Sequence, residues 1–199
     1  MYKKLVLYLI FCALVIVTGC AGDSKDNIVS QVPLVKTLFN GESFQFRDIE
    51  WFINEDELLK QENINKDDIE AHLVIPGGYR SPYTVRFEEL ELNMEARYIF
   101  HDEPNMFVSG SYYLAFENKE EYLVAVEKVK GALEAEFVSI QKSQGDFNPL
   151  QSPSSSIIWW AEDGSMLTFM TFVDIPDAEK PHAIIIKVAP RHPSLDMPR

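Results

Sequence analysis

The chain has few cysteines. Of its 199 residues, Cys12 and Cys20 are the two cysteines, so no residue after position 20 can form a disulfide or react through a thiol. A disulfide scaffold, a cysteine nucleophile and a cysteine-based zinc site are therefore excluded for the part of the chain that follows Cys20.

Basic residues are also scarce. The chain has 18 Lys and Arg against 31 Asp and Glu, which gives a net charge of −13. A surplus of negative charge repels nucleic acid and anionic lipid head groups alike. We therefore expect no nucleic-acid partner. The acidic surplus either keeps the chain soluble or favours a basic partner.

No apolar run near the start is long enough to span a membrane. Residues 5–17 contain thirteen residues without a charge, preceded by Lys3 and Lys4. A transmembrane helix needs about 20 apolar residues to cross about 30 Å of hydrocarbon. A basic start, a short apolar core and small residues at its end are instead typical of a secretory signal peptide.

That segment ends in Val17-Thr18-Gly19-Cys20. The motif resembles the lipobox of bacterial lipoproteins, which implies cleavage before Cys20 and a diacylglycerol thioether on its sulfur. Removing residues 1–19 removes two lysines and no acid, so the net charge becomes −15. Ala21 is not the Asp that marks inner-membrane retention in this family. The resemblance implies an extracytoplasmic, lipid-anchored protein on the outer face of a monoderm membrane or in a diderm outer membrane. The alternative is an uncleaved anchor.

The rest of the chain divides by composition. Residues 20–31 are small and polar after Cys20, which favours a flexible tether. Residues 32–190 have the composition and length of a single globular domain. Residues 191–199 contain two of the last three prolines of the chain and predict a loose tail.

Periodicity predicts an α+β domain. Helices are expected at residues 55–61, from Asn65 to about residue 75, and at residues 118–137, the first and third capped by Asn54 and Asn118. Residues 44–52 read as a strand or its lead-in. The other predicted strands are residues 84–92, 93–101, 106–116, 157–161, 165–173 and 182–189, with turns at residues 102–105 and 163–164.

This order predicts antiparallel sheet with helices packed on one face, possibly as two αβββ units at residues 54–117 and 118–189. The topology, with Ile49-Glu50-Trp51 in the lead-in, resembles the tandem helix-and-sheet fold of β-lactamase-inhibitor proteins. One unit also resembles the small lipoprotein of the outer-membrane β-barrel assembly machine. These families often have Trp-Gly where this chain has Trp51-Phe52. They are non-catalytic binding proteins, and the resemblance implies no more than that.

The sequence gives little support for catalysis. His101 lies beside Asp102 and Glu103, but neighbouring strand residues point to opposite faces, which argues against a metal site. His72 lies at a predicted helix end, where a cation is favourable without any function. The serines of residues 154–156 lack a Gly-x-Ser-x-Gly frame. Gly77-Gly78 follows a predicted helix, so it reads as a turn and not as a phosphate loop. We expect no cofactor and no metal.

Aromatic residues in the second half have the best claim to recognition. Trp159 and Trp160 are neighbours in a predicted strand, so one of them should lie outside the core. With Tyr113 and Phe172, that tryptophan forms a candidate binding face for an envelope protein or polymer. The alternative is that the N-terminal segment, the polar, proline-containing loop predicted at residues 142–156 or the other unit covers this face.

Three functional hypotheses follow. The first is a lipid-anchored, non-enzymatic binding or assembly module of the cell envelope. The second is a small envelope hydrolase, in which His101 or His182 meets a carboxylate. The third is a structural envelope protein without a specific ligand, which should lack an exposed aromatic patch.

Overall fold

The fold is a single antiparallel sheet with two helices in the described part of the chain. The computed structural model describes residues 37–64, 73–75, 79–81, 84–89, 92–101, 105–143 and 145–191. In chain order the elements are α1 (Glu55–Gln61), β1 (Leu73–Ile75), β2 (Tyr79–Ser81), β3 (Thr84–Glu89), β4 (Leu92–His101), β5 (Met106–Phe116), α2 (Lys119–Glu136), β6 (Gln141–Lys142), β7 (Ser154–Trp160), β8 (Met166–Phe172) and β9 (His182–Ala189). The predicted α+β class, with antiparallel sheet, is confirmed.

The strands follow the order β1-β2-β4-β5-β9-β8-β7-β6. One edge of β4 carries two strands, because β3 pairs with its first half and β2 with its end. In the middle of the sheet, β5 pairs with β9 from Gly110–Val188 to Phe116–His182. Strands of the two predicted units, residues 54–117 and 118–189, therefore belong to one sheet.

Both helices begin where their caps predict. In α1 the backbone N–H of Glu57 donates to Oδ1 of Asn54 at 3.0 Å, and the Glu57 carboxylate accepts from the Asn54 backbone N–H. In α2 the side chain of Asn118 accepts from the backbone of Glu120 and Glu121. These bonds satisfy helix N–H groups that have no partner inside the helix.

The helices lie on the same face of the sheet. The predicted apolar stripe of α2 is buried, and this helix packs on β5 and β9, while α1 packs on β5. Residues 37–53 belong to the same layer as the helices. The ring of Phe46 lies over Gly110 in β5, and the ring centroid of Phe44 lies 5.3 Å from that of Phe137 at the end of α2. The core is thus enclosed between one sheet face and a layer of helices and loops. None of the described helices is long and apolar enough to cross a membrane.

Two predicted elements are wrong. Residues 44–52 form no strand, because Arg47, Asp48 and Phe52 adopt positive φ angles of 56°, 57° and 68°, which turn the chain sharply. The predicted second helix does not reach residue 75, because Leu73–Ile75 forms strand β1. The start of that helix at residues 65–72 lies outside the described residues.

The turn at Asp163-Gly164 is confirmed, since Gly164 has a φ of 85° and its N–H donates to the carbonyl of Ala161. The predicted loop at residues 142–156 ends earlier than expected, because β7 begins at Ser154. The loop packs on the helix side, where the ring of Phe147 contacts that of Phe169. Several predictions lie outside the described residues: Cys20, the tether at residues 20–31, His72, the tail after residue 191 and residues 102–104 of the predicted turn.

Candidate docking face

The alternation of side chains divides the sheet into a buried face and an open one. In β7, Ile157 and Trp159 are buried beneath the helix layer, whereas Ile158 and Trp160 are partly exposed. The same period of two runs through β4, β8 and residues 184–189 of β9. In β5 it is interrupted, because residues 109–112 are all buried. We call the helix-free side of these strands the open face.

The pairing register arranges the open face in cross-strand rows. The first row contains Trp160, Met166 and Ala189. The second contains Ile158, Thr168, Lys187, Ser111 and Arg97. The third contains Ser156, Met170, Ile185, Tyr113 and Glu95. The fourth contains Ser154, Phe172, Ala183 and Ala115. Large apolar and aromatic side chains therefore occur in every row of a face that antiparallel sheets usually give to polar residues.

The structure places three of the four predicted recognition residues on this face. Trp160, Tyr113 and Phe172 lie there, and each is partly exposed. Trp159 does not belong to it: its side chain is fully buried, and its ring centroid lies 6.3 Å from that of Phe137. Of the two candidate tryptophans, Trp160 therefore belongs to the open face and Trp159 to the core. The sequence could not make this choice, because neighbouring residues of a strand point to opposite faces and nothing in it says which one faces the helix.

The two described segments that might have covered the open face pack on the other side. Residues 37–53 contact Gly110 and Phe107, which face the helices, and the loop at residues 143–153 contacts Phe169 and Tyr122 there. The strands of the predicted second unit extend the same sheet edge to edge and do not stack on it. Within the described ranges, none of the three predicted coverings reaches the open face.

Charge on the open face is sparse and its sign is opposite to that of the whole chain. Arg97 forms an ion pair with Glu95 at 3.0 Å, and its guanidinium carbon lies 3.5 Å from the centroid of the Tyr113 ring, a cation–π arrangement. Lys187 is partly buried in the middle of the face, and burial lowers the pKa of its ammonium group. The acidic residues of both helix starts lie on the opposite layer.

Two serines add hydroxyl groups beside these cations. Ser109 and Ser111 point to the open face and are 3% and 5% exposed. The described part of the chain offers the Ser109 hydroxyl no hydrogen-bond partner. Buried hydroxyl groups are normally bonded, so this one has capacity for a ligand or for water.

The histidines of the hydrolase hypothesis occupy different places. His182 is buried on the helix side, where its ring stacks on Tyr122 with centroids 5.3 Å apart. His101 pairs with Met106 at the end of β4, at the margin of the open face. Among the described residues, no three His, Cys, Asp or Glu side chains are grouped so that they could hold a metal ion. His101 and His182 therefore lie on different faces of the sheet.

Sequence reasoning missed Lys187 and Arg97 as members of the face. The signal for Lys187 was a lysine inside the otherwise apolar strand His182–Ala189. Arg97 carried no comparable signal, because an arginine on a strand is usually only a solvated side chain.

A scan against protein-family models, a search of curated proteins and a search of solved structures each found no match to the chain.

Proposed function

We propose that this chain is a lipid-anchored, non-enzymatic docking module of the cell envelope, and that its open face binds another envelope protein. The observation that carries the proposal is the partly exposed apolar surface formed by Trp160, Met166, Met170, Phe172 and Tyr113. The lipobox-like sequence ending at Cys20 supports the anchor.

The size of the open face suits a docking role. The open face is formed by five neighbouring strands, in the spatial order β4, β5, β9, β8 and β7. Strands about 4.8 Å apart and about 20 Å long give this face a projected area of roughly 500 Å². Apolar patches of several hundred Å² on a soluble protein mark interaction sites. An area of this size belongs to the lower end of specific interfaces, which suits a reversible contact.

The composition of the open face favours a protein partner. Aromatic residues, Met and Arg are enriched at the centres of protein interfaces, and all three are present here. Each of these large apolar side chains is only partly exposed, so its neighbours cover part of it. Such a surface can pack against a complementary protein surface but offers little apolar area to insert into a bilayer.

The anchor would assist such a contact. Thr37 follows Cys20 by seventeen positions, which span at most about 60 Å when extended. Two proteins held at the same membrane meet at a high effective concentration, so a modest interface is enough for stable docking.

Photo-crosslinking in intact cells tests the docking face. A photoreactive residue replaces Met170 on the open face or, as a control, Val124, which is 69% exposed on α2. We expect a protein adduct from position 170 and none from position 124. The absence of an adduct from position 170 in a folded chain would overturn the proposed docking.

Cell fractionation tests the anchor separately. We expect Cys20→Ala to abolish the lipid modification and to release the chain from the membrane fraction. A Cys20→Ala chain that stays in that fraction as completely as the natural chain contradicts a lipid anchor at this position.

A further inference from the structure

A polar row crosses the centre of the open face. Register pairs Thr168 with Lys187, Lys187 with Ser111 and Ser111 with Arg97, so four polar side chains stand side by side on four neighbouring strands. The row containing Met170, Ile185 and Tyr113 borders it on one side, and Met166 with Trp160 borders it on the other. The row is therefore a strip of hydrogen-bond donors within an apolar surface.

Among the described residues, the neighbours of Lys187 on this face carry no negative charge. Its cross-strand neighbours on this face are Thr168 and Ser111, and its neighbours along β9 are Ile185 and Ala189. Glu95 lies in the next row and forms its ion pair with Arg97. Burial disfavours the ammonium group of Lys187, which lowers its pKa. A partly buried cation without a counter-charge is a stability cost that a binding partner can relieve.

The acidic surplus of the chain does not cancel this local positive charge. The carboxylates of α1 and α2 lie on the opposite layer, and a sheet and the outer surface of a helix packed on it are separated by about 15–20 Å. The Debye length at physiological ionic strength is about 8 Å. Arg97 is compensated by Glu95 on the same face, so a partner approaching the open face meets the field of Lys187 rather than that of the helix layer.

We propose that the row formed by Arg97, Ser111, Lys187 and Thr168 selects the partner, and that it receives a carboxylate side chain standing within an apolar segment of that protein. The ammonium group of Lys187 and the hydroxyl groups of the row supply hydrogen bonds to the carboxylate oxygens, while Trp160, Met170 and Tyr113 contact the flanking apolar residues. This inference rests on the proposed docking function and adds the chemistry of the partner.

The same charges argue against a second copy of this chain as the occupant. Two copies meeting face to face about a two-fold axis would bring the cationic rows together, and like charges opposed across an interface are unfavourable. A bilayer surface is disfavoured because none of the described apolar side chains of this face is strongly exposed. A protein segment with one acidic residue satisfies both the charge and the shape.

The test uses the full-length chain with the photoreactive residue at position 170 and compares Lys187→Met with Lys187→Arg. Lys119→Met is the matched control, because Lys119 is an exposed lysine at the start of α2. We expect Lys187→Met to lower the adduct yield at least about tenfold, because it leaves the partner's carboxylate buried without a counter-charge. Lys187→Arg and Lys119→Met should retain most of the yield.

Mass spectrometry of the adduct then locates the partner's contact. We expect a peptide with an Asp or Glu among apolar residues within a few positions of the crosslink. Replacing that carboxylate with its amide should lower the yield as Lys187→Met does, and combining the two changes should add little further loss.

The remaining outcomes separate the two proposals. An unchanged yield for Lys187→Met, with the chain still folded by circular dichroism, overturns the role of the row but leaves docking intact. An adduct to a phospholipid, to a second copy, or to this chain's own residues 20–36 or 192–199 overturns the assignment of the partner. The absence of any adduct overturns the docking function itself.

Discussion

Trp159 and Trp160 are consecutive in β7, yet their side chains lie on opposite faces of the sheet. Trp159 is fully buried against Phe137, and Trp160 is partly exposed in the first row of the open face. Two adjacent residues of the same type therefore have different roles, one in stability and the other on the proposed docking surface.

Replacing each tryptophan with serine should separate these roles. We expect Trp159→Ser to lower the free energy of unfolding by about 3–5 kcal/mol, since it leaves a large cavity in the core. Trp160→Ser should cost no more than about 1 kcal/mol, because the side chain is already partly in water. Urea denaturation of both variants checks this difference, and equal losses would show that Trp160 also belongs to a covered core.

Much of the fold follows from local sequence patterns. The sequence predicts the bounds of β5 and β9 and the caps of both helices. It also predicts the buried apolar stripe of α2. Each of these features is specified by residues that are close together in the sequence. The strand order could not be predicted, since the pairing of β5 with β9 joins residues that are far apart in the sequence. Residues 44–52 were read as a strand or its lead-in because their aromatic composition suits a strand, whereas positive φ angles at Arg47, Asp48 and Phe52 turn the chain.

Gly110 should tolerate no side chain. A Cβ at this position would overlap the ring of Phe46, which is held between Tyr98 and Tyr112 and cannot move aside easily. We therefore expect Gly110→Ala to lower the free energy of unfolding by about 1–3 kcal/mol, as overpacked cores do. Thermal and urea denaturation measure the change.

Gly131 provides the matched control for that substitution. It lies in α2, and a Cβ there would meet no atom within 4 Å. Gly131→Ala should raise the free energy of unfolding by about 0.5–1 kcal/mol, because alanine favours helix. If both alanine variants behave alike, the packing of Phe46 over Gly110 is not as described.

Lys187→Met should stabilise the isolated protein at neutral pH. The pKa of Lys187 is lowered by burial, so the unfolded chain binds more protons than the folded one between that lowered value and the ordinary value of 10.5. The free-energy cost of burying the charged ammonium group is therefore fully present below the pKa that Lys187 has in the folded chain. It disappears as the pH rises towards 10.5. Urea denaturation at pH 7 and near pH 10.5 should show a gain for the variant that is larger at pH 7. A loss of stability at pH 7 would contradict this.

Glu62 joins the N-terminal layer to the sheet. Its Oε2 accepts hydrogen bonds from Nε of Arg47 at 3.0 Å and from the hydroxyl of Tyr98 at 2.7 Å, and the Glu62 and Arg47 side chains are 10% and 19% exposed. Glu62→Gln removes the charge of this carboxylate, so we expect a loss of about 2–3 kcal/mol in the free energy of unfolding.

Glu134 supplies the contrasting case on the surface. It pairs with Lys130 and Lys142 at 2.9 Å each, and hydrogen bonds from Lys142 and Lys130 lower its pKa, although all three side chains are partly in solvent. Glu134→Gln should cost only about 0.5 kcal/mol at pH 7, because solvent and salt screen such pairs. Its contribution should vanish as the pH falls through the lowered pKa. A larger loss for Glu134→Gln than for Glu62→Gln would reverse this ranking.

The open face could be predicted only in part. The alternation of Met166, Met170 and Phe172 with other apolar residues in β8 indicates two apolar faces, and Trp160 was among the candidates. The polar row could not be foreseen, because Arg97, Ser111 and Lys187 come from three strands and become neighbours only through the register of the sheet.

We expect the open face to be occupied in the cell, and the reactivity of a cysteine introduced on that face measures its occupancy. The sequence has no cysteine after Cys20, so Met170→Cys or Val124→Cys introduces one thiol into the folded domain. Each full-length variant is treated with a small, membrane-impermeant maleimide in intact cells and again after purification, with the unaltered chain as background. We expect Met170→Cys to react about fivefold more slowly in cells, since a face that is about four-fifths occupied reacts at about one-fifth of its free rate. Val124→Cys should react equally in both settings. Equal rates for Met170→Cys in cells and after purification would contradict the docking face.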